Sequence, residues 1–247
     1  MDLYQALREP PILTAVIGAE CSDGIVLTAD TQLTWSVDKE LEFMDDEKIK
    51  ADFEHFIVGY AGTERTFEIF RKYMVGELTL EWSTQKILHS TSIQRAAHCL
   101  QMLNKIADNE NTIKILAVNH LPNNLHLYYI DEYGIVTQTP YQAIGTGRSV
   151  ADHFCKSLSR KRTPMKEFAK QAYLAIKFME QDRPDLFVGG TPTVKYMKKN
   201  EEWDIFAPPK DMKEFDQYAK KYLKSSNRRM KSIAAESKRE LMKRARN

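Results

Sequence analysis

Residues 14–30 read Thr14-Ala15-Val16-Ile17-Gly18-Ala19-Glu20-Cys21-Ser22-Asp23-Gly24-Ile25-Val26-Leu27-Thr28-Ala29-Asp30. Two apolar runs rich in β-branched residues, 14–21 and 25–30, flank Ser22-Asp23-Gly24. Asp-Gly between apolar runs is a strong hairpin signal, since both residue types tolerate the positive φ of a tight turn. The setting of Thr14 carries the chemical interest. A threonine hydroxyl does not attack a carbonyl unaided at neutral pH. As the first residue of a chain, however, it has its own α-amine within reach as the base. Thirteen residues precede Thr14, and their removal decides whether that chemistry is available.

Outward from this stretch, 31–46 is polar with scattered aromatics and reads as a loop or weak hairpin. Lys48-Ile49 and Phe56 to Tyr60 read as short strands. Ala61-Gly62 ends the strand pattern, and Thr63 suits an N-cap before a helix over 64–74 with Phe67, Phe70, Tyr73 and Met74 on one face. A second helix is expected from about Ser83 to Asp108, its apolar positions approximating a 3.6-residue period. Strands return at 113–118, 125–130 and 135–139. Ile144-Gly145-Thr146-Gly147 reads as a glycine-flanked turn before a helix over 149–158. Thr163-Pro164 opens another helix, with Phe168, Ala172, Ile176 and Met179 on one face. Gly189-Gly190 precede a last strand, 191–197. The order is strands, two helices, strands, two helices, strand. It predicts an α+β fold, a four-layer αββα sandwich of two antiparallel sheets flanked by helix pairs.

The 247 residues are 43% hydrophobic and 28% charged, the balance of an ordinary globular protein. No apolar run approaches the roughly 20 residues that cross a bilayer. The first residues, MDLYQALREPPIL, lack the basic start and apolar core of a secretory signal. Cys21, Cys99 and Cys155 are far apart and odd in number, which suits a reducing cytoplasm better than a disulfide framework. Neither they nor the scattered histidines have metal-ligand spacing, so no metal or cofactor is expected. Charge is unevenly spread. From Lys210 onward 13 Lys and Arg stand against 5 Asp and Glu, a net +8. With +2 for the whole chain, the first 209 residues carry −6.

The arrangement resembles the proteasome β-type and HslV peptidase family of N-terminal-nucleophile hydrolases over roughly residues 14 to 198. The segments that carry the resemblance are Thr14, Asp23-Gly24, Asp30, Lys48, Ala61-Gly62, Gly145-Thr146-Gly147 and Asp185-Leu186-Phe187-Val188-Gly189-Gly190, in that order. The resemblance implies that Thr14 Oγ1 attacks the scissile carbonyl, with Lys48 beside it lowering its pKa and Asp30 pairing with Lys48. It implies an oxyanion donor in the backbone N–H of Gly62, worth about 2.7–4 kcal/mol in the transition state. Thr146 and Asp185 would orient the new amino terminus, and Tyr60 would line a shallow pocket for the side chain preceding the cut.

Three positions depart from the family pattern. Leu13 stands where self-processing subunits carry glycine, so the bend needed for self-cleavage is harder to reach. Val188 replaces a serine and offers no hydrogen bond to the amine. Gln32 replaces a common arginine, leaving Asp30 one fewer cation.

The resulting expectation divides the chain into a leader-like segment (1–13), a proteasome-like domain (14–207) and a basic helical extension (208–247). The implied function is threonine-type peptide-bond hydrolysis of peptide or unfolded-protein substrates, in a ring of self-associated or related subunits, with an ATP-driven unfoldase as partner. The alternative is a non-catalytic structural subunit with an uncleaved leader. The extension is expected to be helical with an interruption near Ser225-Ser226-Asn227. It would pack Met212, Phe215, Tyr218, Tyr222 and Leu223 on the body, with wrapping of a neighbour's acidic surface as a second reading. No nucleic-acid-binding motif supports a third.

Overall fold

The Asp23-Gly24 signal becomes β1 (Ala15–Glu20) and β2 (Gly24–Ala29), paired antiparallel from Glu20↔Ile25 to Val16↔Ala29. The turn is closed by Cys21 N–H donating to the Gly24 carbonyl at 2.7 Å. The computed structural model describes residues 14–37, 40–45, 47–53, 56–78, 91–106, 113–121, 124–159, 163–182, 188–198 and 205–244. The polar stretch after Asp30 forms a hairpin of its own, β3 (Gln32–Val37) with β4 (Glu40–Asp45). Next come β5 (Ile49–Phe53), β6 (Phe56–Ala61), α1 (Glu64–Met74) and α2 (Ser92–Ile106). Thr63 caps α1, its hydroxyl accepting from the Thr66 N–H. The residues expected to begin the second helix, 83–90, lie outside the described ones.

The second half runs β7 (Lys114–Leu121), β8 (Asn124–Ile130), β9 (Val136–Gln138), β10 (Tyr141–Gly145), α3 (Arg148–Ser159), α4 (Met165–Asp182), β11 (Thr193–Lys198), β12 (Ile205–Phe206) and α5 (Pro209–Arg244). The turn expected at 144–147 is in part strand. β10 pairs with β1 from Ala15↔Gly145 to Ala19↔Tyr141, and Tyr141, Ala143 and Ile144 are buried in it. β12 was not anticipated, because two residues carry no periodicity. The interruption expected near Ser225 does not occur: α5 is one helix of 36 residues. Ser225 stays in it by donating its hydroxyl to the Tyr222 carbonyl at 2.7 Å, which satisfies the side chain without breaking the turn.

Sheet order is β10-β1-β2-β11-β12 in one sheet and β5-β6-β7-β8-β9 in the other, all neighbours antiparallel. Strand alternation divides the apolar residues among three cores. Val16, Ile25, Leu27, Ile49, Ile57, Leu116, Val118 and Leu127 fill the space between the sheets. Ala15, Ile17, Ala19 and Val26 turn the other way, towards α3, α4 and α5. Phe56, Val58 and Tyr60 face α1 and α2. The four layers are therefore helix, sheet, sheet, helix. Each buried Leu, Ile or Val contributes about 1.5–3 kcal/mol relative to exposure. The sheets approach closely where Val16 crosses Gly59: a Cβ on Gly59 would lie 2.6 Å from Val16 Cγ1.

Candidate active site

The β1–β2 register decides what meets at one end of the sandwich. Because Val16 lies opposite Ala29, the residues one step further, Ala15 and Asp30, also face each other, and Asp30 N–H donates to the Ala15 carbonyl at 3.2 Å. Thr14 lies just before β1 and Asp30 just after β2, so a 16-residue separation in sequence becomes a contact. Thr14 Oγ1 donates to Asp30 Oδ1, which also accepts the Ala15 N–H at 2.9 Å.

Lys48 arrives from the other sheet. It precedes β5, and its carbonyl accepts the Tyr60 N–H of β6 at 3.2 Å. Its Nζ lies 3.0 Å from Asp30 Oδ2 and 2.5 Å from the Gln32 carbonyl. Thr14, Asp30 and Lys48 are each at most 1% exposed. Burial pushes the Asp30 carboxyl above its ordinary value; the Lys48 charge and the hydrogen bonds from Thr14 and Ala15 offset this only in part. Two unlike charges taken out of water together are tolerated when geometry is good and the remaining lone pairs find donors, as they do here.

A glycine turn holds the carbonyl of Thr14. Thr146 Oγ1 donates to it at 3.3 Å and Gly147 N–H at 3.4 Å. The hydroxyl of Thr146 thus binds the backbone of Thr14 itself. Gly145 has φ 89, and a Cβ there would lie 2.1 Å from the Thr14 carbonyl oxygen, so no other residue fits.

The other expected residues are distributed as follows. Gly62, with φ 139, forms the bend between β6 and α1, at the strand end next to Lys48. Asp185 lies outside the described residues. Tyr60 is 1% exposed, its ring stacked on Phe67 at 3.9 Å between centroids, so it belongs to the core under α1 and presents no open pocket wall. Val188 is 2% exposed and belongs to the helix-facing core, which suits an apolar residue at the position where the family pattern has serine.

Two backbone roles escaped the sequence reading. Gly189 N–H points at Asp30 Oδ2 at 3.5 Å, and its carbonyl accepts the N–H groups of Thr31 and Gln32, both at 3.2 Å. Gln32 serves Lys48 through its carbonyl, a role indifferent to the lost arginine side chain. Both act through backbone atoms, which no residue type announces.

The fold is thus a four-layer sandwich of helix, sheet, sheet and helix with a buried Thr–Asp–Lys group at one end. The family model described as "Proteasome subunit" matches residues 14–185, beginning at Thr14. The chain belongs to the proteasome subunit family. Similar solved structures include an Anbu (Gly-1) mutant from Hyphomicrobium sp. strain MC1, at 15% identity and TM-score 0.62, covering 89% of this chain and 99% of that one. Anbu, an ancestral beta-subunit, from Yersinia bercovieri superposes at 17% identity and TM-score 0.63, covering 90% and 97%. At such identities the likeness is one of fold. No curated protein matches the chain. Among the described residues no helix is long and apolar enough to cross a membrane.

Proposed function

We propose that the chain is a threonine peptidase subunit, active once residues 1–13 are removed. The observation that carries this is the buried contact of Thr14 Oγ1 with Asp30, itself ion-paired to Lys48 at 3.0 Å. In the uncut chain the hydroxyl proton has Asp30 as its acceptor. A freed α-amine, with an ordinary pKa of about 7.7–8.0, supplies a second acceptor and can take that proton as Oγ1 attacks. The ammonium of Lys48 lowers the cost of the developing alkoxide, and Asp30 keeps it charged and in place. Gly62 N–H is the candidate donor to the oxyanion, and Thr146 and Gly147 fix the backbone of the nucleophile. Asp185 is assigned to the amino terminus on the family resemblance. Substrates are peptides or unfolded segments, cleaved in the cytoplasm within a ring of like or related subunits fed by an ATP-driven unfoldase.

A second reading, a non-catalytic subunit with its leader retained, is favoured by two observations. Thr14 is only 1% exposed, and Val188 is committed to the core. Intact mass and amino-terminal sequencing separate the two. A mature chain starting at Thr14, with cleavage of a fluorogenic peptide abolished by Thr14→Ala, supports the enzyme. Activity surviving that substitution would sink the mechanism, and a chain that always retains Met1 to Leu13 would leave the structural subunit.

A further inference from the structure

At 1.5 Å per residue, the 36 residues of α5 span about 54 Å, twice the length of the 18-residue α4 on which it packs. The first half of α5 is well fastened. Phe215, Ala219 and Leu223 are buried, Lys166 pairs with Asp211 at 2.9 Å and Glu214 at 2.7 Å, and Gln171 donates to the Tyr218 hydroxyl at 2.9 Å. The sequence then changes character while the helix continues to Arg244. From residue 227 to the end, 8 Lys and Arg stand against 2 Asp and Glu, and Met230, Ile233, Ala234 and Leu241 recur at helical spacing.

Where this half begins, an open groove of ≈ 360 Å³ is lined by Ser149, Val150, His153, Phe154, Phe178, Tyr222 and Ser226. Its rings support one another: Phe154 lies 5.3 Å from Phe178 and 6.2 Å from Tyr222, centroid to centroid. Tyr222 nevertheless remains 41% exposed. An aromatic groove beside a polar rim is the form of a docking site.

We propose that the distal half of α5 docks on a second copy of this chain, its apolar stripe in that copy's groove between α3, α4 and α5. Charge selects the occupant. The segment from 227 carries a net +6, while residues 1–209 carry −6. Geometry excludes the groove of the same chain: residue 237 lies roughly 16 Å beyond Ser226 along a continuous helix, directed away. A chain that carries both a basic apolar stripe and an acidic body with an open groove is complementary to itself, and exchange between two copies satisfies both. The contact rests on the self-association proposed above and is independent of the chemistry of Thr14.

The test joins two full-length variants, Ser149→Cys in the groove and Ser237→Cys in the tail, carrying tags of different size. The native Cys21, Cys99 and Cys155 are all buried and spared by a short bis-maleimide. Mixing should give a crosslinked heterodimer at least tenfold above either homodimer. Combining Arg228→Glu, Arg229→Glu and Lys231→Glu in the tail variant should cut that yield at least tenfold and lower the mass measured by light scattering, with the thermal melt unchanged. Absence of the heterodimer overturns the contact, as does an intrachain product in the Ser149→Cys/Ser237→Cys double variant. So does a charge-reversed chain that loses only its binding to a fluorescent DNA duplex and keeps its mass. A chain that assembles without the crosslink leaves the ring reading standing; a monomer throughout removes both.

Discussion

Asp30 gathers four donors: the Thr14 hydroxyl, the Ala15 and Gly189 N–H groups and the Lys48 ammonium. Replacing its charge strands that ammonium in a buried site. Asp30→Asn should therefore cost about 3–5 kcal/mol in denaturant unfolding, and adding Lys48→Met should recover part of it. A loss below about 1 kcal/mol would be that of an exposed pair and would contradict the buried geometry. Val188→Ser tests a neighbouring point. Restoring the family serine puts a hydroxyl into the helix-facing core, where it should destabilise by about 1–3 kcal/mol. A neutral or stabilising result would show that a polar partner exists there. At this scale the residue types of Thr14, Asp30 and Lys48 were legible from order and spacing, and the structure brings all three together. That Tyr60 is buried against Phe67 was not legible, because its neighbours in sequence do not reveal which face of β6 it occupies.

At the scale of elements, two glycines allow close approaches that a larger residue would disturb. Gly59→Ala would drive a Cβ into Val16 Cγ1, forcing β1 and β6 apart at the centre of the sandwich. Overpacking of this kind costs typically 1–3 kcal/mol. Because the clash is with one side chain, Val16→Ala in the same chain should relieve some of it, and a double-mutant cycle of unfolding free energies measures the coupling. Additive effects would show that the two residues do not touch. Gly145→Ala should cost as much or more, from strain at φ 89 as well as collision with the Thr14 carbonyl. The helices over 64–74 and 149–158, and the one opened by Thr163-Pro164, were legible because their periodicity is local. β10 and β12 were not, since a short strand is defined by its partner. The supposed break at Ser225 was not seen, since a serine hydroxyl can bond back to its own helix.

For the whole molecule, burial makes alkaline pH the sensitive side. Tyr173, on α4 in the helix-facing core, has its phenol pushed up to about 12 by desolvation, with Asp216 and Glu180 adding to the effect. Burial raises Tyr141 and Tyr196 in the same core as well. The unfolded chain begins to lose these protons near pH 10 while the folded chain holds them. The stability they contribute is complete below pH 10 and declines as pH rises towards 12 and beyond. Denaturant midpoints at pH 9 and pH 11 should differ in that direction, and absorbance at 295 nm should report these phenols ionising together with unfolding. Independent early titration of all tyrosines would show the core to be open.

The sequence by itself determined the strand and helix order, the β1–β2 hairpin and therefore the meeting of Thr14 with Asp30. Each follows from local periodicity and from the length of a single turn. Only the tertiary structure decided that Lys48 reaches that pair from the opposite sheet, and that Gly189 and Ala15 turn their N–H groups on the carboxylate. It also decided that Val188 is buried in the helix-facing core and that α5 runs on unbroken beside an open groove. Those features depend on how two sheets and their helices are brought against one another, and packing over long sequence separations leaves no periodic trace in the chain.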